Sequence, residues 1–240
     1  MSLEYKATDL PGKSLYPKQF SCQIRPITPI EQKYIISLSQ KDQKTTQEYL
    51  DFLKKLVVFD NPEMTFEELF WYDVQYLLYR IRYLTYPKYP IRLGFKCLEC
   101  GETISYTLDI GTLDIKEPTE DMPRTIILDN LGEISIRNKT VGDDLLVDEF
   151  AKRKGIDVSD MQMRILLLDL CLISQEKSLD ELYALTESAD ITANDIVTIE
   201  NWFTKNEWGM KEEVNVKCPK CHKEASRGYV LSIEDFFSFI

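Results

Sequence analysis

The chain has 240 residues, 44% of them hydrophobic and 29% charged, with a formal net charge of −11. That is length and apolar content enough to bury a core, in one large domain or two small ones. No apolar run approaches the roughly 20 residues needed to cross a bilayer, which predicts no membrane insertion. The charge is uneven. Residues 109–210 hold 22 acidic and 10 basic side chains, residues 1–108 net +1, and residues 211–240 are neutral. An acidic centre disfavours nucleic acid and suits solubility or a basic protein partner. No signal peptide precedes the first elements, so a reducing cytosol is expected.

Residues 1–28 carry Pro11, Pro17 and Pro26 among aromatic residues, which predicts an extended arm with a short strand at Phe20–Arg25. Gly12-Lys13-Ser14 has the end of a phosphate-binding loop but lacks its earlier glycine, since position 7 is Ala, and is rejected. A first helical lobe spans 29–88. Pro29 opens one helix, Thr46–Val58 forms a second, and Thr65-Phe-Glu-Glu68 reads as a capping box for a third that stops before Pro87. On that third helix Tyr72, Tyr76, Tyr79 and Tyr83 widen an apolar stripe, and core packing explains them better than an interface.

Residues 89–115 alternate as two strands around Cys97-Leu-Glu-Cys100. Residues 116–210 begin with a hairpin, Thr125–Leu128 and Glu133–Arg137, and continue as an acidic second helical lobe. Its helices are expected at Thr140–Lys154, from Ser159-Asp-Met-Gln162 to Ile173, after Ser178, and from Thr192 to Asn206. Trp202, Phe203 and Trp208 are expected to anchor the last of them. Asp143, Asp144, Asp148 and Glu149 read as a solvated helix face. Residues 211–240 repeat the earlier pattern: strands Glu213–Lys217 and Ser226–Leu231 flank Cys218-Pro-Lys-Cys221, and a helix capped at Ser232-Ile-Glu-Asp235 closes the chain.

The two C-x-x-C pairs share one local setting: an alternating run ending in lysine, the pair, a small or polar residue, then another run. Tight turns of this kind aim backbone amides at thiolates, and two of them supply the four sulfurs of a closed tetrahedral Zn²⁺ shell. A redox pair would sit at a helix start, and neither does. Disulfides within each pair fit an oxidising compartment, and separate two-cysteine sites would leave each metal half-coordinated. One structural zinc held by Cys97, Cys100, Cys218 and Cys221 is therefore the expectation. Cys22 and Cys171 read as small core residues.

Little else recommends catalysis. The one histidine, His222, follows Cys221 directly, and adjacent residues rarely reach one metal together. No nucleophile–histidine pairing or glycine-rich phosphate cradle appears. A zinc hydrolase would need an open metal position and a base. The sequence predicts no small-molecule substrate and no enzyme. Lys96, Lys217, Lys220, Lys223 and Arg227 near the knuckles keep open a second reading, a zinc-ribbon protein that binds nucleic acid or regulates.

The run Leu10-Pro-Gly-Lys-Ser-Leu-Tyr-Pro17, then Ile24-Arg-Pro-Ile-Thr28 and Glu31, followed by Asp73, Arg80, Arg82 and the first C-x-x-C, resembles the baseplate hub assembly proteins of T-even-like contractile-tailed bacteriophages. The likeness covers about residues 8–115, and the arm departs from it, with Gly12 two residues early and Tyr16 one. The resemblance implies a non-enzymatic scaffold that builds, or remains within, the tail baseplate hub through protein–protein contacts. It places the protein in the host cytoplasm during assembly and in the virion. Leu10, Leu15, Tyr16, Pro17 and Phe20 of the arm are then candidates for docking onto a hub or tail partner. The expected fold is α+β: two mainly helical lobes joined by a four-cysteine zinc-ribbon module of paired β-hairpins.

Overall fold

The computed structural model describes residues 4–39, 46–119, 121–157, 159–174, 176–231 and 236–237. Among them the fold is α+β, with seven α-helices and several small antiparallel sheets. The chain forms two compact units. Unit 1 comprises 1–61, 75–116 and 209–240, and unit 2 comprises 62–74 and 117–208. Both cysteine hairpins belong to unit 1.

In unit 1 the arm is a built part of the core. Strands β1 (Lys6–Thr8) and β2 (Cys22–Ile24) pair antiparallel, and β2 is the centre of a sheet completed by β3 (Val57–Phe59). Cys22 stands opposite both Thr8 and Phe59. Helix α1 (Pro29–Ser39) starts where Glu31 accepts the Thr28 N–H at 2.8 Å and pairs with Arg25 at 2.7 Å. Helix α2 (Thr46–Lys54) ends four residues before the expected Val58. The β-branched Val57-Val58 pair suits a strand, and the sheet claims it, with Val57 opposite Ile24. Ile24, Ile35, Leu38, Leu50, Phe52 and Leu56 form the buried centre.

Thr65 and Glu68 do form the capping box, with the Thr65 N–H 2.9 Å from the Glu68 carboxylate, but it closes a 3₁₀ turn, Phe66–Glu68. Helix α3 (Trp71–Thr85) starts later. The intervening backbone is drawn into a ladder within unit 2: Val141 N–H donates to Leu69 O at 2.9 Å and Trp71 N–H to Lys139 O at 3.0 Å. Those partners lie about seventy positions away in sequence, beyond the reach of a local pattern. On α3, Tyr76 and Tyr79 are buried as expected, whereas Tyr72 is half-buried and Tyr83 exposed.

Unit 2 packs the hairpin β7 (Thr125–Leu128) and β8 (Gly132–Ser135) against α4 (Val141–Lys154), α5 (Met161–Leu172), α6 (Leu179–Glu187) and α7 (Ala193–Asn206). Gly132 at φ +70° turns the hairpin and Gly155 at +69° ends α4, both left-handed positions where a Cβ is costly. Trp202 is buried, its indole donating to Pro123 O at 2.9 Å; Trp208 is buried, and Phe203 is half-buried.

The acidic face of α4 is not solvated. Asp143 and Asp144 are buried, only Glu149 of the four is exposed, and the cations that hold them come from other segments. Arg137 grips Asp143 through two bonds of 2.5 and 2.7 Å, Lys139 approaches Asp144 at 3.3 Å, and Arg164 bridges Asp144 and Asp148 at 2.8 and 2.5 Å. Asp143 is also the third residue of a capping box with Thr140. Buried carboxylates need opposite charge beside them, and two guanidinium groups and the Lys139 ammonium supply it here, although Asp144 Oδ2 makes no hydrogen bond among the described residues.

Unit 1 closes with three short pairings. β4 (Ile91–Lys96) and β5 (Thr103–Leu108) form one hairpin, β6 (Ile115–Lys116) pairs with β9 (Gly209–Met210), and β10 (Glu213–Lys217) and β11 (Glu224–Gly228) form a second hairpin. The last strand begins two residues earlier than Ser226, because the knuckle sets the register with Lys217 opposite Glu224. The cap expected at Ser232–Asp235 lies outside the described residues; Phe236 and Phe237 are buried.

Candidate metal centre

Each knuckle is a six-residue turn between paired strands, and the two are built alike. Cys97 N–H donates to Glu102 O at 2.8 Å and Gly101 N–H to Cys97 O at 2.9 Å. At the matching places Cys218 N–H donates to Lys223 O at 2.9 Å and His222 N–H to Cys218 O at 3.0 Å. The closing lysines correspond too: Lys96 donates to Thr103 Oγ1 at 2.8 Å and Lys217 to Glu224 at 2.9 Å. Ile104, Leu108, Val214 and Val216 turn inward from β5 and β10, so apolar packing holds the two hairpins side by side.

This brings all four knuckle sulfurs into one cluster, each within 4.8 Å of the others. Across the knuckles, Cys97 Sγ lies 3.6 Å from Cys221 Sγ, and Cys100 Sγ lies 3.6 Å from Cys218 Sγ. A tetrahedral shell with metal–sulfur bonds of about 2.3 Å requires sulfur–sulfur separations of about 3.8 Å. The thiols therefore fit such an ion without rearranging the turns. Cys97 and Cys218 are buried, whereas Cys100 and Cys221 are half-exposed.

Backbone dipoles favour negative charge on two of the four sulfurs. The Cys100 and Glu99 amides hold the Cys97 thiol below its ordinary value, and the Cys221 amide, assisted by that of Lys220, brings Cys218 down to about 6. Against the Glu102 and Lys223 amides, burial and the neighbouring sulfurs push Cys100 up to about 12 and raise Cys221, so in the absence of a cation the four thiols do not all ionise together. Thiolates are the species that bind metal. His222 is exposed and stands outside the sulfur cluster; at φ +60° it occupies a turn position. Cys22 and Cys171 are buried away from the cluster, as small core residues.

The other candidate residues divide. Leu10 and Phe20 are buried in unit 1, Leu15 and Tyr16 are half-buried, and Pro17 is exposed. Tyr16 stacks edge-on against Phe20 at 5.0 Å between ring centroids, and Phe20 against Phe59 at 5.5 Å. Tyr16, Phe20, Lys13 and Lys18 line a cleft of about 710 Å³ on the arm.

The profile of a family described as T4 bacteriophage base plate protein matches residues 3–238. The chain belongs to that family. The match spans both units, reaching well past the residue 115 at which the sequence resemblance stopped. Searches of curated proteins and of solved structures each return no match. As a phage baseplate protein, the chain takes its place among the other proteins of a phage tail. Among the described residues, no helix of this baseplate protein is long and apolar enough to cross a membrane.

Proposed function

We propose that this baseplate protein is a non-enzymatic structural component of the tail hub, assembled in the host cytoplasm and braced by one zinc ion on Cys97, Cys100, Cys218 and Cys221. The convergence of four thiols from segments 117 residues apart carries the metal assignment. Soft thiolates in tetrahedral array select zinc over the hard cations. A four-sulfur shell has no vacancy for water or substrate, so its contribution is folding free energy. It ties the middle of the chain to its end.

Contacts with hub or tail proteins fall, on this reading, on the exposed side of the arm, Leu15, Tyr16 and Pro17, with Leu10 and Phe20 anchoring it from beneath. Deleting residues 1–27 would remove the central strand β2, so substitutions at the rim are the proper probe. Zinc-loaded tagged protein is recovered from infected cells and its companions identified by mass spectrometry. Hub proteins and one equivalent of zinc are the expected result, with Tyr16→Ala weakening the capture. A metal-free native chain, or capture that ignores hub proteins, would sink the proposal.

The nucleic-acid alternative is weakened, because two of its five knuckle cations are paired and the acidic charge is concentrated in unit 2. Lys217 is paired with Glu224, Lys220 lies 3.9 Å from Glu102, and unit 2 holds 24 acidic against nine basic side chains. A phosphate track needs unpaired cations in series.

A further inference from the structure

A second cleft in unit 1, of about 240 Å³, opens between residues 83–90 and 107–110. Three tyrosines (Tyr83, Tyr86, Tyr89), two prolines (Pro87, Pro90) and Asp109 supply its recognition chemistry. Tyr83 and Tyr89 are 37% and 60% exposed, so both present aromatic area to solvent.

Two of the three rings, Tyr83 and Tyr86, are held by neighbours, and the backbone of Tyr89 is tied down. Arg82 is buried beneath them; its guanidinium lies 4.4 Å from the Tyr86 ring centroid and donates to Tyr89 O at 3.1 Å and to Phe236 O at 2.8 Å. The turn itself is closed by Tyr89 N–H on Tyr86 O at 3.1 Å. Tyr83 lies so close to Gly111 that a Cβ there would come within 2.9 Å of its ring, and Arg80 sits 5.8 Å from its centroid. Preformed aromatic walls are what an extended polyproline helix needs, because its rings stack without further ordering of either side.

The charges set the occupant's sign and direction. Asp109, on one wall, uses one carboxylate oxygen on the Gly111 N–H at 2.9 Å and has no ion pair among the described residues. Lys88 places the opposite charge on the other wall. We propose that this cleft docks a proline-rich, extended segment of a partner polypeptide that carries a basic residue beside its prolines. The prolines pack on Tyr83, Tyr86 and Tyr89, and the basic residue reaches the open Asp109 oxygen. This goes beyond the metal-braced scaffold and involves none of its ligands.

The probe is a synthetic oligoproline with one arginine at its amino or carboxyl end, titrated into the full zinc-loaded chain and followed by NMR shifts. The same peptide with glutamate in place of arginine is the control. One arginine peptide should bind about tenfold tighter than its glutamate counterpart, a difference of about 1.4 kcal/mol. Tyr89→Ala, at an exposed position, should weaken binding by at least about tenfold with an unchanged near-ultraviolet spectrum. Asp109→Asn should abolish the preference for arginine and keep a weaker oligoproline interaction. No shift at the cleft, equal binding by Tyr89→Ala, or a preference for glutamate would overturn the proposal. So would a dimer of the free chain that Tyr89→Ala dissociates, since a second copy would then be the occupant.

Discussion

His222 holds, at φ +60°, the turn position that Gly101 holds at +71° in the other knuckle. The single histidine is thus a backbone substitution for glycine, with its imidazole pointing to solvent and its amide bonded to Cys218 O. A left-handed residue bearing a Cβ costs about 1–2 kcal/mol, and glycine's extra unfolded-state freedom offsets part of that. His222→Gly should therefore change stability by less than about 1 kcal/mol and leave the metal content intact. Gly101→Val should cost about 2 kcal/mol from backbone strain, because no neighbouring atom lies within 4 Å of a Cβ at that position. Metal analysis beside urea unfolding checks both, and loss of zinc from His222→Gly would make the imidazole a ligand after all.

Chelation gives a prediction that separates the units spectroscopically. Trp71, Trp202 and Trp208 all lie in unit 2, whereas 11 of the 13 tyrosines lie in unit 1 with the four knuckle cysteines. The buried core of unit 2 contains no knuckle residue. Removing the metal, or changing Cys97 to Ser, should weaken the near-ultraviolet tyrosine signal and leave tryptophan emission close to native. Structural zinc in small peptides contributes about 10–16 kcal/mol; the sheet and helices of unit 1 have their own core, so its loss here should loosen that unit without unfolding α1 and α3 completely. Simultaneous collapse of both signals would contradict this division.

What the sequence revealed depended on range. Caps at Ser178 and Thr192 were legible because a capping box spans four residues, whereas the cap expected at Ser159 falls on Asp160, whose carboxylate accepts from the Gln162 and Met163 amides; the knuckles were legible because each is a short motif repeated. Misreadings arose where a distant partner decided the outcome. Val57 and Val58 continue a helical pattern until Ile24 offers them a strand. The turn after Glu68 is set by the 139–141 segment, and Asp143 and Asp144 look solvated until Arg137, Lys139 and Arg164 are placed beside them. The tyrosine cleft was hidden for a similar reason. Tyr83 falls on the apolar helix stripe, and only Gly111 and the 86–90 turn bring it to a surface.

The buried pair on α4 predicts unequal costs from similar changes. Asp143 accepts from the Thr140 amide at 2.7 Å, from the Thr140 hydroxyl at 3.0 Å, and from both Arg137 terminal nitrogens. Asp143→Ala removes the cap and leaves a guanidinium whose remaining bonds are to Cys171 O at 3.1 Å and Asn138 O at 3.4 Å. A loss of about 3 kcal/mol is expected. Asp148 is more exposed and shares Arg164 with Asp144, so Asp148→Ala should cost under about 1 kcal/mol. Urea midpoints followed by tryptophan emission measure the difference; equal losses would mean that the Asp143 network is no more than a surface pair.

Two carboxyls give stability opposite dependences on pH. Asp169 on α5 is buried, and one of its oxygens lacks a hydrogen-bond partner among the described residues. Burial, reinforced by Glu200 and opposed by Lys139, pushes its carboxyl up to about 7 from an ordinary 3.8. Between those values the folded chain keeps a proton that the unfolded chain releases, so this contribution is full below pH 3.8 and lost as pH rises through 7. Glu31 runs the other way. The Arg25 bond, helped by Thr28 and opposed by desolvation, lowers it to about 2 from 4.5, so its contribution is present above pH 4.5 and fades as pH falls toward 2. Asp169→Asn should therefore flatten the decline of unit 2 stability between pH 4 and 7 and raise it at pH 8. Glu31→Gln should remove an acid-side loss read from tyrosine signals. A pH 8 midpoint lowered by Asp169→Asn would show that the ionised carboxylate is held by a cation, and would reverse the assigned sign.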